Sequence, residues 1–477
     1  MSLSSNPTTD RQSLARVVSA SMIGTTIEWY DFFLYNSAAA LVFNKLFFPT
    51  ADPLTGTLLA FLTYAIGFGA RPIGGLVFGH FGDRLGRKRL LVVSLVLMGI
   101  ATFAIGLLPT YAAIGVAAPL LLTLLRLVQG FALGGEWGGA VLIVSEHGDP
   151  RRRGFWASWP QAGVPCGNLL ATAVLAILAA VQSDAAFLSW GWRIPFLLSA
   201  VLVVVGLWIR LSVTESPVFL AAARRAERAT AKEHPPIVEV VRRGWRSLLI
   251  AMGARMAENM SYYVITAFIL VYITTVLGMA RSAGLNAVLI GSAVHLVTIP
   301  LWGALSDRVG RKPVYLFGAI GMGVWAFVFF LLLDTKSFWV MALAVSVGLV
   351  LHGAMYGPQA AFFSELFGTR VRYSGASIGY QLASIAAGAL APIIAVALLA
   401  AYDSTVPISL YMLGMCLLTV IAVLAARETR GTALDDATPD QVPADDRIGA
   451  KADTVTTRPR GRELGRGAPA ARPARQG

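Results

Sequence analysis

The sequence predicts an all-α integral membrane protein: twelve transmembrane helices in two pseudo-symmetric six-helix bundles. Three observations lead there. The 477 residues are 56% hydrophobic and only 14% charged, with a mean hydropathy of +0.66, whereas soluble domains run near one-quarter charged. The apolar residues fall into twelve runs, each close to the roughly 20 residues that cross about 30 Å of hydrocarbon as a helix, and no alternating barrel strands appear. Finally, Gly79 to Arg89 reads GHFGDRLGRKR and returns 224 residues later as GALSDRVGRKP at Gly303 to Pro313. A period near half the chain marks a duplicated domain rather than a solenoid of short repeats.

Each copy of that stretch lies between two apolar runs and reads as a tight polar loop whose glycines allow the turn. Asp83 and Asp307 precede Arg84 and Arg308, and such a carboxylate can pair with a cation or cap a neighbouring helix N-terminus. Gly79, Asp83, Arg84, Gly86 and Arg87, with Asp307, Arg308, Gly310 and Arg311, therefore form a candidate conformational latch. A basic surface anchor is the plainer alternative, but it gives no reason to keep the spacing twice.

In order, the first half reads as helices near 17–43, 55–80, 90–109, 118–145, 155–181 and 190–211, after a cytoplasmic tail at 1–16. A polar, Arg/Glu/Ala-rich linker at 212–246 divides the halves. The second half reads near 247–277, 284–304, 313–333, 338–364, 374–401 and 406–426, so the bundles span 17–211 and 247–426. Landmarks recur at a constant offset: Glu146 with Arg153 corresponds to Glu365 with Arg372. Beyond 427 the chain is mixed-charge and rich in Pro, Ala, Gly and Thr, and 427–477 is expected to be a disordered cytoplasmic tail.

The net charge of +13 is distributed by membrane side rather than as a nucleic-acid footprint. Basic residues crowd one set of loops (Arg84 to Arg89, Arg151 to Arg153, Arg224 to Arg246, Arg308 to Lys312, Arg370 and Arg372). The opposite loops carry only scattered Lys45, Arg193, Arg281 and Lys336. The positive-inside rule places the basic loops and both termini in the cytoplasm. Cys166 and Cys416 both fall in apolar runs, so neither a disulfide framework nor a metal site is implied.

Charged residues within spans are costly and therefore candidates for function. In the first helix Glu28, Asp31 and Tyr35 share a face by three- and four-residue spacing, and paired buried carboxylates suit a proton carrier. Pairing of Glu28 with a structural arginine is the alternative. In the fourth helix Arg126, Gln129 and Gly130 form a stripe to which Glu136 returns; Arg126 needs an acidic partner or an anionic substrate, and Asp31 is the leading partner. The seventh helix aligns Arg255, Glu258, Asn259 and Tyr262, with an internal Arg255–Glu258 ion pair as the structural alternative. The tenth aligns His352, Tyr356 and Gln359. Arg71 lies roughly 16 Å into the bilayer at helical rise from the loop and must be paired or face water. Gln161, Asn168 and Gln381 are weaker candidates that can simply join helices, and His295 reads as a core residue.

The duplicated loop resembles the pattern of the major facilitator superfamily. The runs EWYDFF at 28–33, ARPIGG at 70–75, RLVQGFALGGEWGGA at 126–140, ESPVF at 215–219 and ELFGTRVRYSG at 365–375 resemble its metabolite:proton symporter branch, which includes bacterial permeases for shikimate, α-ketoglutarate, citrate and proline/betaine. The resemblance covers about 15–428. It implies two bundles rocking about a central cavity lined by helices one, four, seven and ten, in a multi-pass protein of the bacterial inner membrane. Asp31, Glu28, Glu136 and Glu258 become proton-coupling candidates. Arg126, Gln129, Tyr35, Arg255, Asn259, Tyr262, His352, Tyr356 and Gln359 become substrate-binding candidates.

The function expected is proton-coupled import of a small polar metabolite, an organic acid, by a monomer in the lipid bilayer, with the proton as coupling ion, no cofactor and no nucleic-acid partner. A zwitterion symporter, a uniporter or exporter, and a transporter-like sensor are the rivals. No G-x-x-x-x-G-K-[ST] loop occurs, because no lysine follows a glycine, which removes a primary pump of that type. No nucleophile, base and orienting group recur at spacings that would suggest an enzyme.

Overall fold

The computed structural model describes residues 7–85, 87–134, 141, 144–145, 149–212, 244–367 and 372–432, and these are helical throughout, joined by short connections. The spans are α1 (Pro7–Ala38, continued by a π-turn over Ala39–Phe43), α2 (Pro53–Leu85), α3 (Arg87–Leu107), α4 (Ala117–Leu133), α5 (Arg153–Val181) and α6 (Arg193–Ser212). After the linker come α7 (Trp245–Tyr263, continued by π-turns to Val276), α8 (Arg281–Val309), α9 (Arg311–Leu333) and α10 (Phe338–Leu366). The last two are α11 (Arg372–Ala383, a π segment Ser384–Ala389, then Leu390–Tyr402) and α12 (Val406–Ala425).

Several helices outrun their apolar runs, as solvated ends with charged residues should. The first begins at Pro7 rather than near 17, since proline's fixed φ suits a first helical turn. Internal prolines at Pro72, Pro160, Pro165, Pro300 and Pro358 leave their helices unbroken, which neighbouring helices in a membrane bundle permit. Large apolar side chains such as Leu107, Val204, Leu331 and Ile421 point outward, the orientation hydrocarbon rewards. Exposed Trp190, Trp245 and Trp339 sit near span ends, where aromatic belts form.

Within the first half, α2 and α4 approach to backbone contact. A Cβ built on Gly130 would lie 1.8 Å from the Gly67 carbonyl oxygen, and one on Gly74 would lie 1.9 Å from that of Phe131. Between the halves, α5 packs along α8 and α10, while α2 packs against α11. The α5–α8 seam is equally close: a Cβ on Gly303 would lie 2.6 Å from the Gly154 carbonyl oxygen. Small residues thus let the halves meet without intervening side chains.

Candidate functional site

The second copy of the duplicated loop shows how its residue types work. α8 ends at Val309, Gly310 adopts φ +108°, and α9 restarts at Arg311, a backbone turn that strains any residue with a side chain. Asp307, in the last turn of α8, accepts the Gly154 and Phe155 amides at 2.8 and 2.9 Å and the Arg311 guanidinium at 2.6 Å. It caps the N-terminus of α5 in the other half, where the helix dipole favours a negative charge. Glu365, at the end of α10, accepts Arg153 of α5 at 3.0 Å and Arg311 Nε and Nη2 at 3.2 Å each. One carboxylate therefore gathers a guanidinium from each half.

Residues 428–432, which the sequence assigns to the tail, complete this network. Glu428 accepts the Arg311 and Lys312 amides at 2.8 and 3.0 Å, and Thr429 donates to Glu365 at 2.7 Å. The Thr432 carbonyl accepts from Arg153 at 3.0 Å, so the strap touches both halves. Arg430 reaches the carbonyl of Arg308, whose side chain is exposed. Of the first copy, Gly86 lies outside the described residues, as do the side chains of Asp83, Arg84 and Arg87. On the opposite face an ion pair joins Asp184, before α6, to Arg281 at the start of α8. Among the described residues, charged contacts thus join the halves at both faces.

Between the faces the polar residues form two groups. In the second half Glu258 of α7 accepts Arg255 at 3.2 Å and Gln359 at 3.1 Å, and its other oxygen lies 3.2 Å from His352 Nε2. His352 Nδ1 lies 2.9 Å from Nε2 of His295 on α8. Arg255 also donates to Gln359 at 3.0 Å and Ser384 at 3.3 Å, and covers the ring of Tyr380. The internal Arg255–Glu258 pair is thus present, embedded in a larger cluster. The Tyr262 ring lies tilted against that of His352, centroids 5.0 Å apart, and the Tyr262 hydroxyl accepts from Asn168 at 3.2 Å. Asn259 Nδ2 is buried without a hydrogen-bond partner. Arg255, Glu258, Asn259, Tyr262, His352 and Tyr356 line one cavity.

In the first half Asp31 does not meet Arg126, contrary to expectation. The Arg126 guanidinium lies 3.9 Å over the Tyr35 ring and 4.9 Å from that of Tyr64, and donates to Gln129 Oε1 at 2.6 Å. Gln129 in turn donates to Thr102 at 2.6 Å, and the Thr102 hydroxyl lies beside Asp31. Aromatic faces and an amide take the place of the carboxylate, leaving Asp31 Oδ1 buried without a hydrogen-bond partner. The Tyr35 hydroxyl bonds Thr63. Arg126 lines neither cavity. Glu136 falls outside the described residues.

A second cavity, of about 30 Å³, lies nearer the basic loops and is lined by Glu28, Trp29, Arg71, Gln161, Tyr380 and Gln381 among others. It admits a water-sized occupant, so a metabolite needs the halves to part. The sequence passed over His295, Thr102 and Tyr380. His295 was detectable: it and His352 are the two histidines within the spans of the second half, and buried imidazoles so placed invite pairing. Thr102 and Tyr380 carry no such signal, because their importance lies wholly in cross-helix neighbours.

Comparison with known proteins agrees with this architecture. The Major Facilitator Superfamily model matches residues 21–378 and 251–453. The shikimate transporter of Escherichia coli K12 is 41% identical over 433 residues, covering 90% of this chain and 98% of that one. The proline/betaine transporter of the same strain is 32% identical over 435 residues, covering 90% and 87%. The xylose transporter XylE from E. coli, in a partially occluded inward open conformation, superposes with a TM-score of 0.67 at 19% identity over 88% of this chain and 99% of that one, a likeness of fold. The chain belongs to the major facilitator superfamily. It is a multi-pass membrane transporter, not an enzyme.

Proposed function

We propose that the chain is a proton-coupled importer of a small organic acid, working by alternating access in a bacterial inner membrane with its basic loops and termini in the cytoplasm. The observation that carries this is the array of buried acids and arginines between two faces at each of which an ion pair joins the halves. Such groups are tolerated inside a membrane where they bind substrate or move charge. The 41% identity to a shikimate transporter supports an organic acid as cargo. Asp31 and Glu28 are the proton-coupling candidates on α1; Glu258, with three donors around it, is suited to hold Arg255 and orient His352. The substrate meets Asn259, Tyr262 and Tyr356 when the cavities open.

A second reading, a zwitterionic substrate, is favoured by the 32% identity to a proline/betaine transporter and by aromatic walls such as Trp29 and Tyr262, which suit a quaternary ammonium. Uptake of labelled shikimate, citrate, proline and betaine into proteoliposomes, with and without an inward proton gradient, separates the two. Gradient-driven accumulation of an acid supports the proposal. Accumulation of betaine alone selects the zwitterion, and gradient-independent equilibration of any of them contradicts proton coupling.

A further inference from the structure

We propose that Arg71 anchors the substrate carboxylate, and that Gln381 Oε1 accepts a hydrogen bond from a hydroxyl of the same molecule, in the cavity nearer the basic face. This rests on the organic-acid reading above and names the group that would grip the acid. Apart from Arg153 and Arg311, which Glu365 holds at the basic face, three guanidiniums among the described residues are buried in the interior. Arg255 is committed to Glu258, Gln359 and Ser384. Arg126, whose Nε is likewise without a partner, donates to Gln129 and lies over the face of Tyr35, but it lines neither cavity. Arg71 is 4% exposed, its Nε has no hydrogen-bond partner, and among the described residues it forms no ion pair.

Phe68 and Phe32 lie 3.9 and 4.5 Å from the Arg71 guanidinium carbon. The rings offer the cation no hydrogen-bond acceptor and leave its Nε–H without a partner, and a guanidinium holds a carboxylate through two parallel N–H bonds. A buried guanidinium without an anion is costly, and that cost falls when an anion arrives. The same cavity holds a second unsatisfied polar atom: Gln381 Nε2 donates to the Gly134 carbonyl at 3.4 Å while Oε1 is buried without a partner. Arg71 comes from the first half and Gln381 from the second, so a ligand bonded to both draws the halves together. Among the described residues Arg71 is the one cationic residue lining this cavity and Gln381 Oε1 an acceptor for a hydroxyl, which matches a ligand with a single carboxylate. The class of substrate is therefore a hydroxylated monocarboxylate.

The test is ligand binding to the purified full-length protein by calorimetry, with shikimate, methyl shikimate and citrate as probes. Shikimate is expected to bind wild type at least tenfold tighter than either its ester or citrate. Arg71→Gln is expected to lose about a hundredfold in shikimate affinity, the scale of a hydrogen-bonded charge pair, and Arg71→Lys about tenfold, since lysine keeps the charge without the fork. Gln381→Glu, which supplies the cavity with its own carboxylate, is expected to weaken shikimate binding about tenfold and to decide the matter should Arg71→Gln fail to fold. If no carboxylate binds wild type, the organic-acid reading falls and this assignment with it. Equal shikimate affinity in wild type and Arg71→Gln, or in wild type and Gln381→Glu, overturns the Arg71 site alone.

Discussion

Asp31 and Glu258 are both buried carboxylates, yet their surroundings assign them different work. Glu258 is held by Arg255, Gln359 and His352, whereas Asp31 keeps one oxygen without a donor and is therefore the acid with room for a proton. Asp31→Asn is predicted to abolish proton-driven uptake while leaving expression and membrane insertion unchanged; wild-type accumulation in that variant would remove Asp31 from the coupling, and a defect confined to Glu28→Gln would move the role there. Glu258→Gln leaves Arg255 buried without its counter-charge, and removing one partner of such a pair costs about 3–5 kcal/mol. Its melting temperature in detergent should fall well below that of Asp31→Asn. The Glu258 cluster was half legible in the sequence, because Arg255 and Glu258 lie one turn apart on a single helix. Its continuation through His352 to His295 was not, since it depends on how α8 and α10 are juxtaposed. The expected Asp31–Arg126 pair failed for a related reason: sequence spacing shows which residues share a face, but the rings of Tyr35 and Tyr64 reach the guanidinium first.

At the scale of elements, the α5 N-terminus and the α8–α9 turn form one device. Asp307 caps α5 from the other half, so opening the basic face must break that cap together with the Arg153–Glu365 pair. Asp307→Asn should slow transport by about tenfold, the worth of one charge-assisted bond of about 1.4 kcal/mol, while substrate affinity stays near wild type, because the residue lines neither cavity. A matching loss of affinity would contradict that separation. Glu365→Gln removes the carboxylate shared by both halves, and spin labels placed across the basic face should report a shift toward separation; an unchanged distance distribution would deny Glu365 a part in closure. The α2–α4 contact makes a different demand. Gly130→Ala drives a methyl group into the Gly67 carbonyl, and overpacking of this kind costs about 1–3 kcal/mol, read as a lowered melting temperature. The sequence revealed the glycines and their need for close approach. The strap at 428–432 was hidden, because short polar segments announce neither an order nor a partner until Glu428 and Thr429 meet Arg311 and Glu365.

The whole molecule is a twofold repeat whose halves touch along α2, α5, α8 and α11, with charged ties at both faces and unsatisfied polar groups between them. Its fold was legible because hydrocarbon imposes a simple rule on length and apolarity, and because the repeated loop gives the symmetry directly. Cargo and coupling were less so, for they depend on which buried charges remain unpaired after the halves meet. In this account the ties alternate, the acid enters with a proton, and release waits on deprotonation toward the basic face. The most direct test records pH in a weakly buffered suspension of proteoliposomes as labelled shikimate is added outside. Wild type should alkalinise the medium in step with uptake of label, and Asp31→Asn should show no pH change while still exchanging internal for external shikimate. Uptake of label by wild type with no accompanying proton movement would contradict the account.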